Sequence, residues 1–308
     1  MISLVIGGNG FIGSHLVDHL LAGGHSVRVF DKYPERYRQP LAHVDYRFGD
    51  FGNRGLLSEA LEGVDVVFHL ISTSVPKTSN DDPAYDVQSN VIETLFLLEQ
   101  CVAKKIGKIV FVSSGGTIYG RPTALPIHED CPTNPECSYG ITKLTIEKYL
   151  ALYKLLHGLE YVVLRPSNPY GSRQNPDGIQ GAIAVFLGKV ARGEPIEIWG
   201  DGSVVRDYVF VDDFVDAMCR AAFSETHGRI FNLGSGEGHS LNDIIAEIGR
   251  VTGRNVQVNY KAGRPFDVPA VYLDISRARE QLGWVPSTSL DEGIKRTWEF
   301  ILNCYRSA

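Results

Sequence analysis

Long apolar runs are missing from this 308-residue sequence. No stretch approaches the roughly 18 uninterrupted apolar residues of a helical membrane span. An excess of basic charge is missing too: 30 Lys and Arg stand against 36 Asp and Glu, a formal net charge of −6. Without a basic stripe there is no surface for neutralising a phosphate backbone, so nucleic acid is not expected as a main partner. Cysteine is scarce and odd in number. Cys101, Cys131, Cys137, Cys219 and Cys304 have no metal-ligand spacing, which predicts reduced thiols, no metal site and a cytoplasmic setting. The first residues have no basic region before an apolar one and no small-residue cleavage site, so they read as a strand rather than a signal peptide. Hydrophobic residues make up 44%, enough for a sizeable core in one large domain or two small ones.

What is present begins with residues 2–6, Ile-Ser-Leu-Val-Ile, a short apolar run suited to a buried parallel strand. Gly7-Gly8-Asn9-Gly10-Phe11-Ile12-Gly13 follows at once, and Ile12, Leu16 and Leu20 then recur with a helical period. Gly7, Gly10 and Gly13 meet the needs of a bound pyrophosphate. They allow a tight turn, a close backbone approach and close helix–strand packing, and Phe11 and Ile12 open the helix whose N-terminus faces the anion. A second strand, Ser26 to Phe30, ends in Asp31, 18 residues beyond Gly13. A carboxylate there accepts both adenosine ribose hydroxyls and repels a 2′-phosphate, which predicts NAD over NADP. The nearby Lys32, Arg36 and Arg38 leave some room for NADP, and a surface turn is the other reading of Asp31.

Further strands are predicted at Asp45–Gly49, Val64–Leu70, Lys108–Ser113 and Leu159–Arg165, with helical patterns at 54–62, 88–104 and 138–157. This alternation predicts an α/β fold, a Rossmann-like doubly wound parallel sheet with helices on both faces. Ligands bind such sheets outside the carboxyl ends of the strands. After Tyr170-Gly171 the alternation breaks into shorter pieces, predicting a smaller C-terminal α/β substrate lobe. The expected division is a dinucleotide domain over 1–170, with 205–228 returning to it, and a substrate lobe formed mostly by 171–204 and 229–308.

Tyr139-Gly-Ile-Thr-Lys143 lies within the last long helical pattern, and a spacing of four places both side chains on one face. A free tyrosine, with a pKa of about 10, is a poor base at neutral pH. A lysine ammonium beside it favours phenolate and can also hold a ribose hydroxyl. On its own the spacing also suits a solvated helical face.

In this order, the three glycines, Asp31, Tyr139 and Lys143 resemble the extended short-chain dehydrogenase/reductase family. Gly49-Asp50, His69-Leu70, Asn90-Val91, Ser113-Ser114, Tyr119-Gly120, Arg165-Pro166, Arg206-Asp207, Asn232-Leu233-Gly234 and Gly263-Arg264 extend the likeness along nearly the whole chain. Within that family the sequence looks most like the UDP-hexose 4-epimerases. The resemblance implies that Asp50 and Phe51 contact adenine, and that Leu70, Asn90, Ser113 and Pro166 line the cofactor, though Asn90 also suits a helix cap. It implies that Asn168, Arg206 and Arg264 hold a diphosphate, and that Asp267 binds the uridine ribose or orients Arg264. Solvated surface positions are the alternative for each charged residue.

The implied reaction is a transient oxidation at C4 of a UDP-sugar, with Tyr139 as base, Lys143 beside it and NAD regenerated in each turnover. A homodimer joined through the two long helices is implied as well. Family members usually carry a Ser or Thr about 24 residues before the tyrosine, where this sequence has Gly115, so Thr117 or Ser114 supplies that hydroxyl or the site works without it. Thr117 is favoured, because two residues past a strand end restore the same facing. The acidic pair of the related 4,6-dehydratases is absent, since Gly116 and Thr117 bear no carboxylate, and so is the decarboxylases' glutamate at the position of Thr117. Val271 matches a position where bulky residues exclude a large 2-substituent, so UDP-GlcNAc and UDP-GalNAc join UDP-Glc and UDP-Gal as expected substrates. A UDP-hexuronate 4-epimerase, a nucleotide-sugar reductase and a non-catalytic dinucleotide-binding sensor remain alternatives.

Overall fold

The structure is a computed structural model that describes residues 1–225, 229–263 and 268–307. Its strands are β1 (Ile2–Ile6), β2 (Ser26–Asp31), β3 (Val44–Phe48), β4 (Val66–His69), β5 (Lys108–Val112), β6 (Glu160–Pro166) and β7 (Asn168–Tyr170), followed by β8 (Ile196–Trp199), β9 (Val205–Arg206), β10 (Tyr208–Phe210), β11 (Ile230–Leu233), β12 (His239–Ser240), β13 (Val258–Lys261) and β14 (Ala270–Val271). The helices are α1 (Phe11–Ala22), α2 (Arg54–Ala60), α3 (Pro83–Asp86), α4 (Glu93–Ala103), α5 (Ser138–His157), α6 (Ala182–Arg192), α7 (Val211–Phe223), α8 (Leu241–Thr252), α9 (Ser276–Leu282) and α10 (Leu290–Ser307).

A seven-stranded parallel sheet in the order β11-β6-β5-β4-β1-β2-β3 forms the centre. Both faces are covered at the centre, so β4 and β5 are nearly continuous apolar runs, whereas the edge strand β3 alternates Val44, Tyr46 and Phe48 with Asp45 and Arg47. In β1, Val5 joins the core with Leu16 and Leu20 of α1 and Phe214 of α7. Its neighbours Leu4 and Ile6 face the other way, towards Leu57 of α2, Leu97 of α4 and Ile146 of α5. The strand order reverses beside β1, where β2 lies on one side and β4 on the other. In sheets of this kind the carboxyl ends at such a reversal are where ligands bind.

Two features depart from the sequence expectations. The helix predicted over 88–104 starts as a π-helical turn, Val87–Ile92, before α4 continues it. The segment assigned to the substrate lobe from 229 onwards first supplies β11, which pairs in parallel with β6 and forms one edge of the main sheet. Phe231 and Leu233 of β11 are fully buried, and that burial holds the segment on the sheet after α7 has crossed it. Of the predicted return over 205–228, residues 226–228 lie outside the described residues. Beyond β11, helices α6, α8 and α10 pack on one another, and β8 pairs with β13 and β9 with β12 and β14. Among the described residues no helix is long and apolar enough to cross a membrane.

Candidate active site

The turn after β1 is built for close approach. Gly7 has φ 87°, a left-handed conformation, and a Cβ on Gly13 would overlap the Gly7 carbonyl. Gly10 is the N-cap of α1, no side chain caps the helix, and its first turn holds no acid, so the N–H groups of Phe11 and Ile12 meet an anion unopposed. Asp31 ends β2 beside this turn, and its carboxylate accepts from Asn9 N at 3.0 Å and Tyr33 N at 3.1 Å. These residues fit a dinucleotide.

The other cofactor candidates divide. Asp50 is exposed, pairs with Lys32 at 3.0 Å and accepts from Gly52 N. Phe51 is buried with its ring against His69. Leu70 follows β4, where Ile71 stands against Gly7. Ser113 donates its hydroxyl to Glu147, and Pro166 O accepts from Gly115 N at 2.8 Å. Asn90 is not a helix cap. It sits inside the π-helical turn, accepts from Thr73 N at 3.0 Å and donates to Thr73 Oγ1 and Asp86 Oδ1 at 2.8 Å, so its amide ties the loop after β4 in place.

Tyr139 and Lys143 both lie in α5, which ends at Gly158 in the left-handed conformation. Lys143 is 4% exposed, which removes the solvated-face reading. Its Nζ donates to Val112 O at 2.9 Å and stands 5.6 Å from the Tyr139 ring centroid and 4.8 Å from that of Phe111. Burial pushes the Lys143 amine down to about 8, against the opposing charges of Asp86 and Glu147. Burial also holds the Tyr139 phenol above its ordinary value, and Cys137 and Asp86 add to the effect. In this geometry desolvation therefore outweighs the expected lowering by Lys143, whose ammonium points at a carbonyl and ring faces.

A side chain at Gly115 would be crowded. A Cβ there would lie 2.6 Å from Leu273 Cδ1 and 3.0 Å from both the Arg165 and Pro166 carbonyls. The neighbouring hydroxyls instead join each other, with Thr117 Oγ1 donating to Ser114 Oγ at 2.9 Å. This turn abuts the start of α5, since a Cβ on Gly140 would come within 3.0 Å of Thr117 O. Behind it lies a buried network that sequence reasoning missed: Arg165 makes a forked contact with Glu147 at 2.6 and 3.1 Å and donates to Tyr119 Oη at 2.8 Å. A glutamate four residues after Lys143 was the available signal, but nothing local pairs it with Arg165.

A cavity on the C-terminal side is lined by Asn168, Tyr170, Phe186, Trp199, Arg206 and Tyr208 among others. Asn168 Nδ2 donates to Asp207 O at 2.8 Å, while Arg206 Nη1 donates to Val205 O and Val268 O. Asn168 pairs with Tyr208 of β10, two residues after Arg206 of β9, so both side chains reach one wall. Val271 is buried among Ile118, Tyr119, Ile127 and Leu273, the surroundings of a core valine. Arg264 and Asp267 lie outside the described residues.

Comparison with known proteins agrees with this geometry. The model of the NAD dependent epimerase/dehydratase family matches residues 3–234. A UDP-glucose 4-epimerase of Mycolicibacterium smegmatis is 39% identical, over 98% of this chain and 99% of that protein. The crystal structure of a Thermotoga maritima UDP-glucose 4-epimerase with UDP-glucose superposes with a TM-score of 0.94 at 36% identity, covering 99% of this chain and 100% of that one. The Thermus thermophilus UDP-glucose 4-epimerase in complex with NAD gives 0.91 at 34% identity, covering 98% and 99%.

Proposed function

Because the chain belongs to the NAD dependent epimerase/dehydratase family, we propose that it inverts C4 of a UDP-hexose, interconverting UDP-galactose and UDP-glucose with NAD as resident cofactor. The observation that carries this reading is the placement of Tyr139 and Lys143 on one helix at the carboxyl edge of β5, with the glycine turn at the same edge.

Gly7, Gly10 and Gly13 with the first turn of α1 hold the pyrophosphate of NAD, and Asp31 holds the adenosine ribose. Bound NAD supplies a hydride acceptor that becomes the donor in the second half of the reaction, and its positive ring adds to the field favouring phenolate. Tyr139 takes the proton of the sugar 4-hydroxyl as C4 loses hydride, and returns it to the 4-oxygen after the keto sugar has turned. Lys143 fixes the ribose and contributes positive charge at the phenol face. Asn168 and Arg206 anchor the diphosphate so that the hexose turns without leaving. With no hydroxyl at Gly115, Ser114 donates to the 4-oxygen and Thr117 orients it.

A homodimer fits the apolar stripe on α5, where Ile141, Leu152, Leu155 and Leu156 are exposed at helical spacing beside α4. A cytoplasmic location fits five cysteines that are all free. Incubating the purified protein with UDP-galactose and no added reductant tests the activity, and Tyr139→Phe tests the base. Turnover should fall by about three orders of magnitude while NAD stays bound. Net consumption of NADH by the wild type would mark a reductase instead.

A further inference from the structure

Asp86, the last residue of α3, is completely buried and takes no part in the mechanism above. Its carboxylate joins three separate parts of the chain. It accepts from Ser74 Oγ at 2.5 Å in the loop after β4, and from Asn90 Nδ2 at 2.8 Å in the π-helical turn. From α5 it accepts from Ser138 Oγ at 2.6 Å, with Thr142 Oγ1 further off at 3.5 Å. Ser138 and Thr142 flank Tyr139 and Lys143 in sequence. The N-cap of α5, Cys137, makes no side-chain cap, and the distant Asn80 instead accepts from Ser138 N at 2.9 Å. Asn80 and Asp86 therefore hold this helix start from outside the helix.

No ion pair reaches Asp86 among the described residues. A carboxylate taken out of water is costly unless a cation balances it. Lys143, 4% exposed and one turn along α5 from Tyr139, is a buried cation on which the Asp86 charge acts. We propose that Asp86 is a positioning residue for the reaction, fixing the Tyr139 end of α5 through Ser138 and balancing the buried Lys143 ammonium with its own charge. This inference rests on the epimerase reading.

The two titrating groups have few other charged neighbours. Cys137 and Asp86 act on Tyr139, and Asp86 and Glu147 act on Lys143, while His69 of β4 is affected by Lys143 but is itself held neutral. Glu93 of α4 pairs outward with Arg54. Loss of the Asp86 charge makes Lys143 easier to deprotonate and Tyr139 easier to ionise, so both limbs of the activity profile should move to lower pH. A purely structural role would lower the rate and leave the limbs in place.

The test compares wild type, Asp86→Asn and Ser138→Ala. For each, kcat and KM are measured against pH on UDP-galactose, and Lys143 is titrated by NMR of carbon-13 lysine, assigned with Lys143→Arg. Asp86→Asn should move the Lys143 titration and both limbs down by about half a pH unit or more. Ser138→Ala, which keeps the charge, should lower kcat several-fold with KM and the limbs unchanged. An unmoved Lys143 titration in Asp86→Asn, or an unchanged kcat in Ser138→Ala, would overturn the proposal, and the second outcome decides it if Asp86→Asn does not fold. A wild-type protein inactive on every UDP-hexose would refute the epimerase reading, with the lysine titration still deciding on Asp86.

Discussion

Lys143 Nζ donates to Val112 O at 2.9 Å and stands over the Tyr139 ring at 5.6 Å from its centroid. The ammonium is thus tethered to the end of β5 and faces the phenol ring rather than open solvent. That arrangement joins the sheet edge, where a cofactor binds, to the helix that carries Tyr139.

A pH dependence follows from this tether. Burial disfavours the charge of the Lys143 amine and pushes it down to about 8. As pH rises through that value the lysine loses its proton, and with it the positive field at Tyr139, so kcat/KM should fall on the alkaline side from about pH 8. In Lys143→Arg the guanidinium keeps its charge, and the surviving activity should lack this limb. A pH series of initial rates on both proteins checks the expectation.

Restoring the hydroxyl that relatives carry should do harm. In Gly115→Ser the new Cβ meets two backbone carbonyls at 3.0 Å as well as Leu273, and carbonyls of β6 cannot swing aside. Overpacking of this kind costs about 1–3 kcal/mol. Denaturant titration should show that loss, and the rate on UDP-galactose should not rise.

His69 sets an acid limit on stability. It is buried between Phe51 and Phe111, bonded to Thr94 Oγ1 at 2.9 Å, and burial next to Lys143 pushes it down to about 3. Between that value and an unfolded value of about 6.5, the unfolded chain binds a proton that the native one refuses. Stability contributed by the neutral ring is therefore lost as pH falls below about 6.5, by about 1.4 kcal/mol per pH unit. Urea unfolding at pH 6.5 and pH 5 should show this slope in the wild type, and His69→Gln should be flatter by that amount.

Much of the site was legible locally. Helix α5 spans the predicted 138–157, and the strand ends named from sequence do bring Asp31, Ser113 and Pro166 to one edge of the sheet. What sequence did not disclose are partners set by tertiary packing. The room denied to Gly115 comes from Leu273 and β6, the fork on Arg165 comes from Glu147 one helix away, and Asp86 meets Ser138 across 52 residues. β11 was misassigned because a short apolar run reads the same in either lobe, and only its pairing with β6 decides.

The central claim is that C4 is oxidised and reduced again within one site, with Tyr139 moving the proton and the hydride never reaching solvent. It is tested most directly by following UDP-galactose deuterated at C4 through the wild-type protein, with NAD bound and no reductant added. The account predicts UDP-glucose that keeps its deuterium at C4. Deuterium lost to water, or no UDP-glucose formed, would contradict it.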